Sequence, residues 1–368
     1  MRAQGANLSD TTSSPSADLA VVGGGLIGLA IADRAARAGL KTLLFEREAH
    51  LGLGASFYAA GMLAPVSEAE IGHADLLEDG LTAAAAWPAF AKELHVPLHT
   101  KGTLHVARDL DEAVALEREL AFRQRRELPV ERLVPSDARK LEPALAPTVR
   151  VALHIPDEHA VDPRLVLEAL EQHARDAGVR IRLGAHVTGI AHGNGYAELQ
   201  LAGGADGPRA THVVVACGAW SPQLMPGLQV RPVKGQILRL RDPAHETTGP
   251  LVERVLRFAG GYLVPRGDGR YVLGATVEEK GFDQTVTVGG VYELLRDATE
   301  LVPGLSELVI DESGAGLRPG SPQNLPIVER RGRVLVATGH FRNGVLLAPL
   351  TAQRVVEQLT NDRGPVPA

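Results

Sequence analysis

Two short stretches hold residue types that could do chemistry. The first lies within LAVVGGGLIGLAIADRAARAGLKTLLFER (19–47), where Gly23, Gly25 and Gly28 have the spacing G-x-G-x-x-G and Glu46 follows 18 residues after Gly28. Gly23 lets the chain turn sharply. Gly25 lacks the Cβ that would hold a pyrophosphate off the backbone, and Gly28 lets helix and strand approach. The helix behind them offers free N–H groups and partial positive charge to phosphates. Glu46 can accept from ribose hydroxyls, and its charge disfavours a 2′-phosphate. This predicts a dinucleotide site and leaves NAD and FAD both open. The second stretch is GAGLRPGSP (314–322), whose one charged residue is Arg318. It is too rich in Gly and Pro for a helix interior and reads as a stiff apolar loop. Arg318 there is either a surface arginine on a turn or an anion clamp that meets a carboxylate with two parallel N–H bonds.

The elements that must position these residues follow from pattern. Leu19 to Val22 and Thr42 to Phe45 are short apolar runs of the kind buried on both faces of a sheet, and Gly39 stops the helix between them. Residues 83–94 and 111–125 read as helices, and Asp162-Pro163 opens another as N-cap and first position. Residues 179–183, 186–191 and 211–220 read as strands, with the Asn-Gly turn of a hairpin at 192–195. From 231 the chain is strand-rich, GDG (267–269) is a hairpin turn, and RVLVATGH (333–340) is again a buried-strand run. The nucleotide pattern is thus interrupted and resumed at the end. The expected fold is α/β, a Rossmann-type domain interleaved with a smaller antiparallel-sheet domain that has α+β elements. The first takes residues 18–80, 150–230 and 305–368, the second 81–149 and 231–304, and residues 1–17 are expected to be a disordered tail. GLGASFYAAGMLAP (52–65) is a second small-residue segment where backbone could pass close to a ligand, which leans toward FAD.

Bulk properties exclude other classes. The chain has 368 residues, 45% of them apolar, and a net charge of −6, so no basic footprint of a nucleic-acid binder is present. The single cysteine, Cys217, excludes an intrachain disulfide and a multi-cysteine metal site, and the thirteen histidines have no metal spacing. No metal is expected. The tail has no apolar core of a signal peptide, and the alanine-rich run 81–91 is too short to span a bilayer. A soluble, cytoplasmic protein is the expectation.

Taken in order, AVVGGGLIGLA, AAGMLAP, ACGAWS, PVKGQ, GLRPGSPQNLPIV and ATGHFRNGVLLAP resemble the D-amino-acid oxidase-like flavoproteins, and within them the glycine oxidase branch of thiamin biosynthesis, over residues 18–358. The resemblance implies noncovalent FAD in an extended pose, its adenosine end on Gly23, Gly25, Gly28 and Glu46 and its adenine beside Val187. Ala59, Ala60, Gly61 and Met62 would run along the pyrophosphate and flavin. Backbone N–H groups of Arg342, Asn343, Gly344, Val345 and Leu346 would face the flavin pyrimidine edge. Arg318 falls where the family clamps the substrate carboxylate, Tyr262 where it hydrogen-bonds it, and Arg342 lies near the same pocket. Phe57 and Tyr58 depart from the family, where small residues are commoner, and residues 311–320 hold no cysteine to tether a flavin. His340 borders the flavin region and is read as structural.

The implied activity is oxidation of glycine or another small amino acid by hydride transfer to flavin. O2 then gives hydrogen peroxide, and the imine supplies thiazole synthesis. No side-chain base is expected to be catalytic. The alternatives are a D-amino-acid or sarcosine dehydrogenase that passes electrons to a quinone, and a flavin-binding subunit without turnover. A homo-oligomer is left open.

Overall fold

In the computed structural model of the chain, residues 15–69, 73–204 and 206–361 are described. The expected tail lies outside the described residues up to position 14, and Ala17 already belongs to the first strand.

The N-terminal unit forms as its pattern predicts. Strand β1 (Ala17–Val22) runs parallel to β2 (Thr42–Phe45), with helix α1 (Leu26–Arg37) crossing between them. Helix α1 ends because Gly39, at φ +81°, turns the backbone so that Gly39 and Leu40 donate to the carbonyls of Ala36 and Ala35. On its other side β1 pairs in parallel with Asp206–Val215, which pairs in parallel with Val334–Thr338. The hairpin around Asn194 joins Val187–His192 to Ala197–Leu201, antiparallel. Arg180–Arg182 closes the far edge beside β2. Among the described residues this sheet has eight strands, and α1 and the C-terminal helix Gly344–Asn361 pack on one face through Leu29, Ile31, Val355 and Val356. That C-terminal helix starts well before Pro349 and runs through it. The buried run Val345 to Ala348 fixes the first turn against the core, so the proline sits inside the helix rather than at its start.

The second sheet also has eight strands. It is antiparallel except where Val255–Phe258 lies parallel to Thr103–Ala107, because the chain leaves for the first sheet between them. Two of its strands were expected in the nucleotide-binding part: Val151–Ile155 and Val309–Gly320 both hydrogen-bond here, so the sequence boundaries at 150 and 305 fall ahead of strands of this second sheet. Val309–Gly320 also overturns the expected loop around Arg318. Its backbone pairs with Arg231–Arg241 along nearly its whole length. Its glycines are required by close neighbours rather than by turns: a Cβ on Gly314 would lie 2.2 Å from Tyr58 Cε1 and one on Gly316 3.0 Å from Tyr58 Cβ. A short third sheet of Met62–Leu63, His159–Val161 and Leu98–His99 joins the two. Among the described residues no helix is long and apolar enough to cross a membrane.

Candidate active site

A cavity of about 1450 Å³ runs from the β1–α1 turn to the face of the second sheet. Its nucleotide end is built from backbone. Gly23 has φ +108°, and a Cβ there would lie 2.5 Å from the Ala216 carbonyl oxygen. Gly28 does not line the cavity: a Cβ on it would stand 1.9 Å from the Gly23 oxygen, so it serves the contact of helix and turn. At Gly25 the nearest atom to a Cβ would be Ser56 Oγ at 3.5 Å, which leaves the backbone approachable. The Leu26 N–H at the start of α1 donates to Ser56 Oγ at 3.1 Å. Glu46, at the end of β2, accepts from the Gly24 N–H at 2.7 Å and the Glu48 N–H at 3.0 Å, which hold its carboxylate at the cavity wall. Val187 lines the same end.

Ala59, Ala60, Gly61 and Met62 line the middle. Gly61, at φ +80°, has no room for a side chain, since a Cβ would lie 1.9 Å from the Val161 oxygen. Opposite, Arg342, Asn343, Gly344 and Val345 line the cavity. Leu346 does not: its side chain is in the core and its carbonyl accepts from Trp87 Nε1 at 2.8 Å. In this first turn the Leu347 N–H reaches the Asn343 oxygen at 2.9 Å, while the N–H groups of Gly344, Val345 and Leu346 have no backbone acceptor among the described residues. Such orphan donors leave partial positive charge at the cavity. His340 also lines the cavity, is buried, shares a hydrogen bond with Thr351 Oγ1 at 3.0 Å, and burial drives its pKa down to about 4. Burial also pushes the Cys217 thiol up to about 12, with Glu46 adding to the rise. Its Sγ donates to the Val22 carbonyl at 3.2 Å and is no nucleophile.

The far end is built from side chains on the second sheet. Strand pairing sets His105, Arg257, Tyr262, Gly274, Ile237 and Gly314 side by side in one row across six strands. Arg318 crosses this face. Its guanidinium lies where a side chain on Gly235 would be, a Cβ there being 2.2 Å from Nη1. Nη1 donates to the Thr276 carbonyl at 3.0 Å and weakly to Lys234 O at 3.4 Å, and the Tyr262 side chain is a hydrogen-bond neighbour. Burial pushes the Arg318 pKa down, Tyr262 opposes this, and Arg342 adds to it. Among the described residues no carboxylate ion-pairs with Arg318. A partly buried cation without a counter-anion is a receptor for one.

Arg342 is tied elsewhere, with Nη1 3.6 Å from Glu68 Oε2. Glu68 accepts from Arg257 Nη1 through its other oxygen. Burial raises the Glu68 pKa, but the two arginines outweigh it and hold it below the ordinary value. The structure therefore brings Arg318, Tyr262 and Arg342 into one compartment and adds Glu68, Arg257 and Gly235, which the motifs did not single out. Their signal was faint: a glycine in PVKGQ, and an acid in a short polar segment after AAGMLAP.

A model of the FAD dependent oxidoreductases (DAO) matches residues 18–358. The glycine oxidase of Geobacillus kaustophilus is 35% identical over 356 residues, 92% of each chain. A thiamine biosynthesis oxidoreductase, ThiO, of Rhizobium etli is 36% identical over 348 residues, 94% of this chain and 97% of that one. The crystal structure of the Geobacillus kaustophilus glycine oxidase superposes with a TM-score of 0.88 at 34% identity, covering 95% of each chain. With the nucleotide cradle, the open strip of small residues and the arginine-bearing sheet face in one cavity, this chain belongs to the DAO family of FAD-dependent oxidoreductases.

Proposed function

We propose that the protein oxidises glycine or a similarly small amino acid, and that its imine product serves thiamin thiazole synthesis, as the names of its relatives suggest. The observation that carries this reading is the unpaired Arg318 guanidinium in the same cavity as the nucleotide cradle. The residues fit FAD: Gly25 leaves its Cβ space open to a pyrophosphate, Glu46 is held at the ribose position, and Val187 borders the adenine end. Ala59, Ala60, Gly61 and Met62 would pass along the cofactor. The orphan N–H groups of Gly344 and Val345, with Arg342 and Asn343, would meet its pyrimidine edge, while Leu346 lies outside the cavity lining. FAD bound there would supply the acceptor for a hydride, one proton with two electrons, from the substrate carbon, with O2 as the final electron acceptor reduced to hydrogen peroxide.

The chain's own residues bind and orient. Arg318 takes the substrate carboxylate in a two-pronged contact, and the Tyr262 hydroxyl adds a third hydrogen bond. The Thr276 carbonyl holds the guanidinium from behind. The neutral amine is the reactive form, and the proton that the ammonium loses to become it can leave to water, so no side-chain base is needed. With water, glycine and O2 give glyoxylate, ammonia and peroxide in balance. A cytoplasmic setting goes with this reading. The test is anaerobic mixing of the yellow protein with a panel of amino acids, followed by air. Bleaching by glycine and peroxide on reoxidation support it. Bleaching without peroxide would make the protein a dehydrogenase, and no bleaching by any amine a non-catalytic flavoprotein.

A further inference from the structure

Glu68 lines the same cavity as Arg318, Tyr262 and Arg342, yet oxidation of a small amino acid gives it nothing to do. Its carboxylate is held from both sides, by Arg257 through one oxygen and by Arg342 at 3.6 Å through the other. Arg257 stands directly opposite Tyr262 in paired strands, so their side chains share a face as immediate neighbours. Glu68 thus reaches in one strand beyond the tyrosine that flanks Arg318, close enough for its charge to act on Arg318. The compartment gathers three guanidiniums and Glu68. Glu158 and Glu119 also act on Arg257 by charge, but their oxygens have other partners: Glu158 accepts from the Ser67 N–H and hydroxyl, and Glu119 pairs with Arg123 and His105.

We propose that Glu68 is a specificity-determining charge that admits substrates with one anionic group and turns away those with two. Tethered beside Arg257 and Arg342, it outcompetes a second carboxylate for them by effective concentration. It also repels that carboxylate directly, and like charges brought together are strongly unfavourable. Arg318 is left to one carboxylate. Glycine and its uncharged homologues enter, and amino acids with a second acidic group on nitrogen or side chain do not. Without Glu68, Arg257 and Arg342 would become a second anion site. This rests on Arg318 being the carboxylate clamp.

The experiment compares glycine with iminodiacetate, which is glycine with a second carboxymethyl group on nitrogen. Flavin reduction in the holoenzyme gives kcat/KM for each, with FAD occupancy measured beside it. In Glu68→Gln the ratio of iminodiacetate to glycine should rise about ten-fold or more, while Glu68→Asp, which keeps the charge, should stay within about three-fold of wild type. An unchanged ratio in a FAD-replete Glu68→Gln protein overturns the proposal. A rise as large in Glu68→Asp also overturns it, because room rather than charge would then be the filter. A wild-type measurement needs no variant to fold: as competitors of glycine, malonate should bind about ten-fold or more weakly than acetate. Malonate that binds as well as acetate defeats the proposal. Acetate that fails to compete at all strikes the Arg318 clamp first and takes the filter with it.

Discussion

The two ends of the cavity reach specificity by opposite means. The nucleotide end uses backbone and absent side chains, nearly all within one β1–α1–β2 unit. There the groups that matter are Gly23 and Gly28, with no room for a Cβ, Gly25, with its Cβ space open, and one acid held by two amides. The far end uses long charged side chains, brought from distant segments to one sheet face and the loops beside it. A backbone cradle is rigid and tolerates many changes around it. A charged cluster is sensitive to each member, because a buried charge that loses its partner is left uncompensated. Substitutions at the far end should therefore act on turnover with cofactor retained, and those at the near end on cofactor affinity.

The largest expected effect is at Arg318. Arg318→Leu should lower kcat/KM for glycine by roughly 30- to 5000-fold, since truncating one partner of a buried charge pair removes about 2–5 kcal/mol. Arg318→Lys should recover only part of this, because an ammonium cannot make the two-pronged contact. FAD content, read from the absorbance ratio, should stay normal in both; loss of FAD instead would dissolve the division between the two ends.

Gly235→Ala tests the same end without touching a charge. A Cβ there would sit 2.2–2.4 Å from the guanidinium atoms of Arg318, the movable tip of a side chain. The arginine should yield while the sheet holds, and a misplacement of about 1 Å is worth about a hundred-fold in rate. Thermal unfolding beside steady-state kinetics separates the two, and an active variant of lower Tm would mean the strand moved instead.

At the near end, Glu46→Gln should weaken FAD binding by about 1–3 kcal/mol, the range for hydrogen bonds to charged groups. Its kcat at saturating FAD should change little. Titration of apoprotein with FAD reads this directly, and an unchanged Kd would make Glu46 only a clamp on the Gly24 and Glu48 amides.

The smallest effect is expected at Cys217. Burial favours its protonated thiol, which donates a hydrogen bond to the Val22 carbonyl, and Cys217→Ala should leave FAD content and turnover within about two-fold of wild type. Acid precipitation should release free FAD from both proteins. Flavin retained by the wild-type pellet alone would identify a covalent link.

The fold was legible wherever local pattern decides it. The β1–α1–β2 unit, the Asp162 cap of the Pro163–Asp176 helix, and the hairpins at 192–195 and 267–269 formed where glycine, proline and apolar spacing put them. The strand holding Arg318 was misread for a physical reason. Its Gly and Pro residues imitate a loop, while the space they leave is filled by partners remote in sequence: Tyr58 over Gly314 and Gly316, and the Arg318 guanidinium over Gly235. The Phe57–Tyr58 departure has its account there too. The Phe57 ring lies under Arg164, 3.5 Å away, and Arg164 pairs with Glu312 of the same strand at 2.6 Å.

By itself, the sequence determined the nucleotide cradle, because its glycines, helix start and acid are local and their spacing is their geometry. It also marked Arg318 as a lone charge among small residues. Only the tertiary structure decided what surrounds that charge. The row from His105 through Arg257 and Tyr262 to Gly314 exists through strand register, and register is set by pairing between segments as far apart in sequence as His105 and Arg257. The hold of Glu68 on Arg257 and Arg342 likewise joins three segments with no common motif. Contacts that depend on long-range pairing leave little periodic trace in any one segment, so the grouping of these charges became visible only when the sheet was assembled.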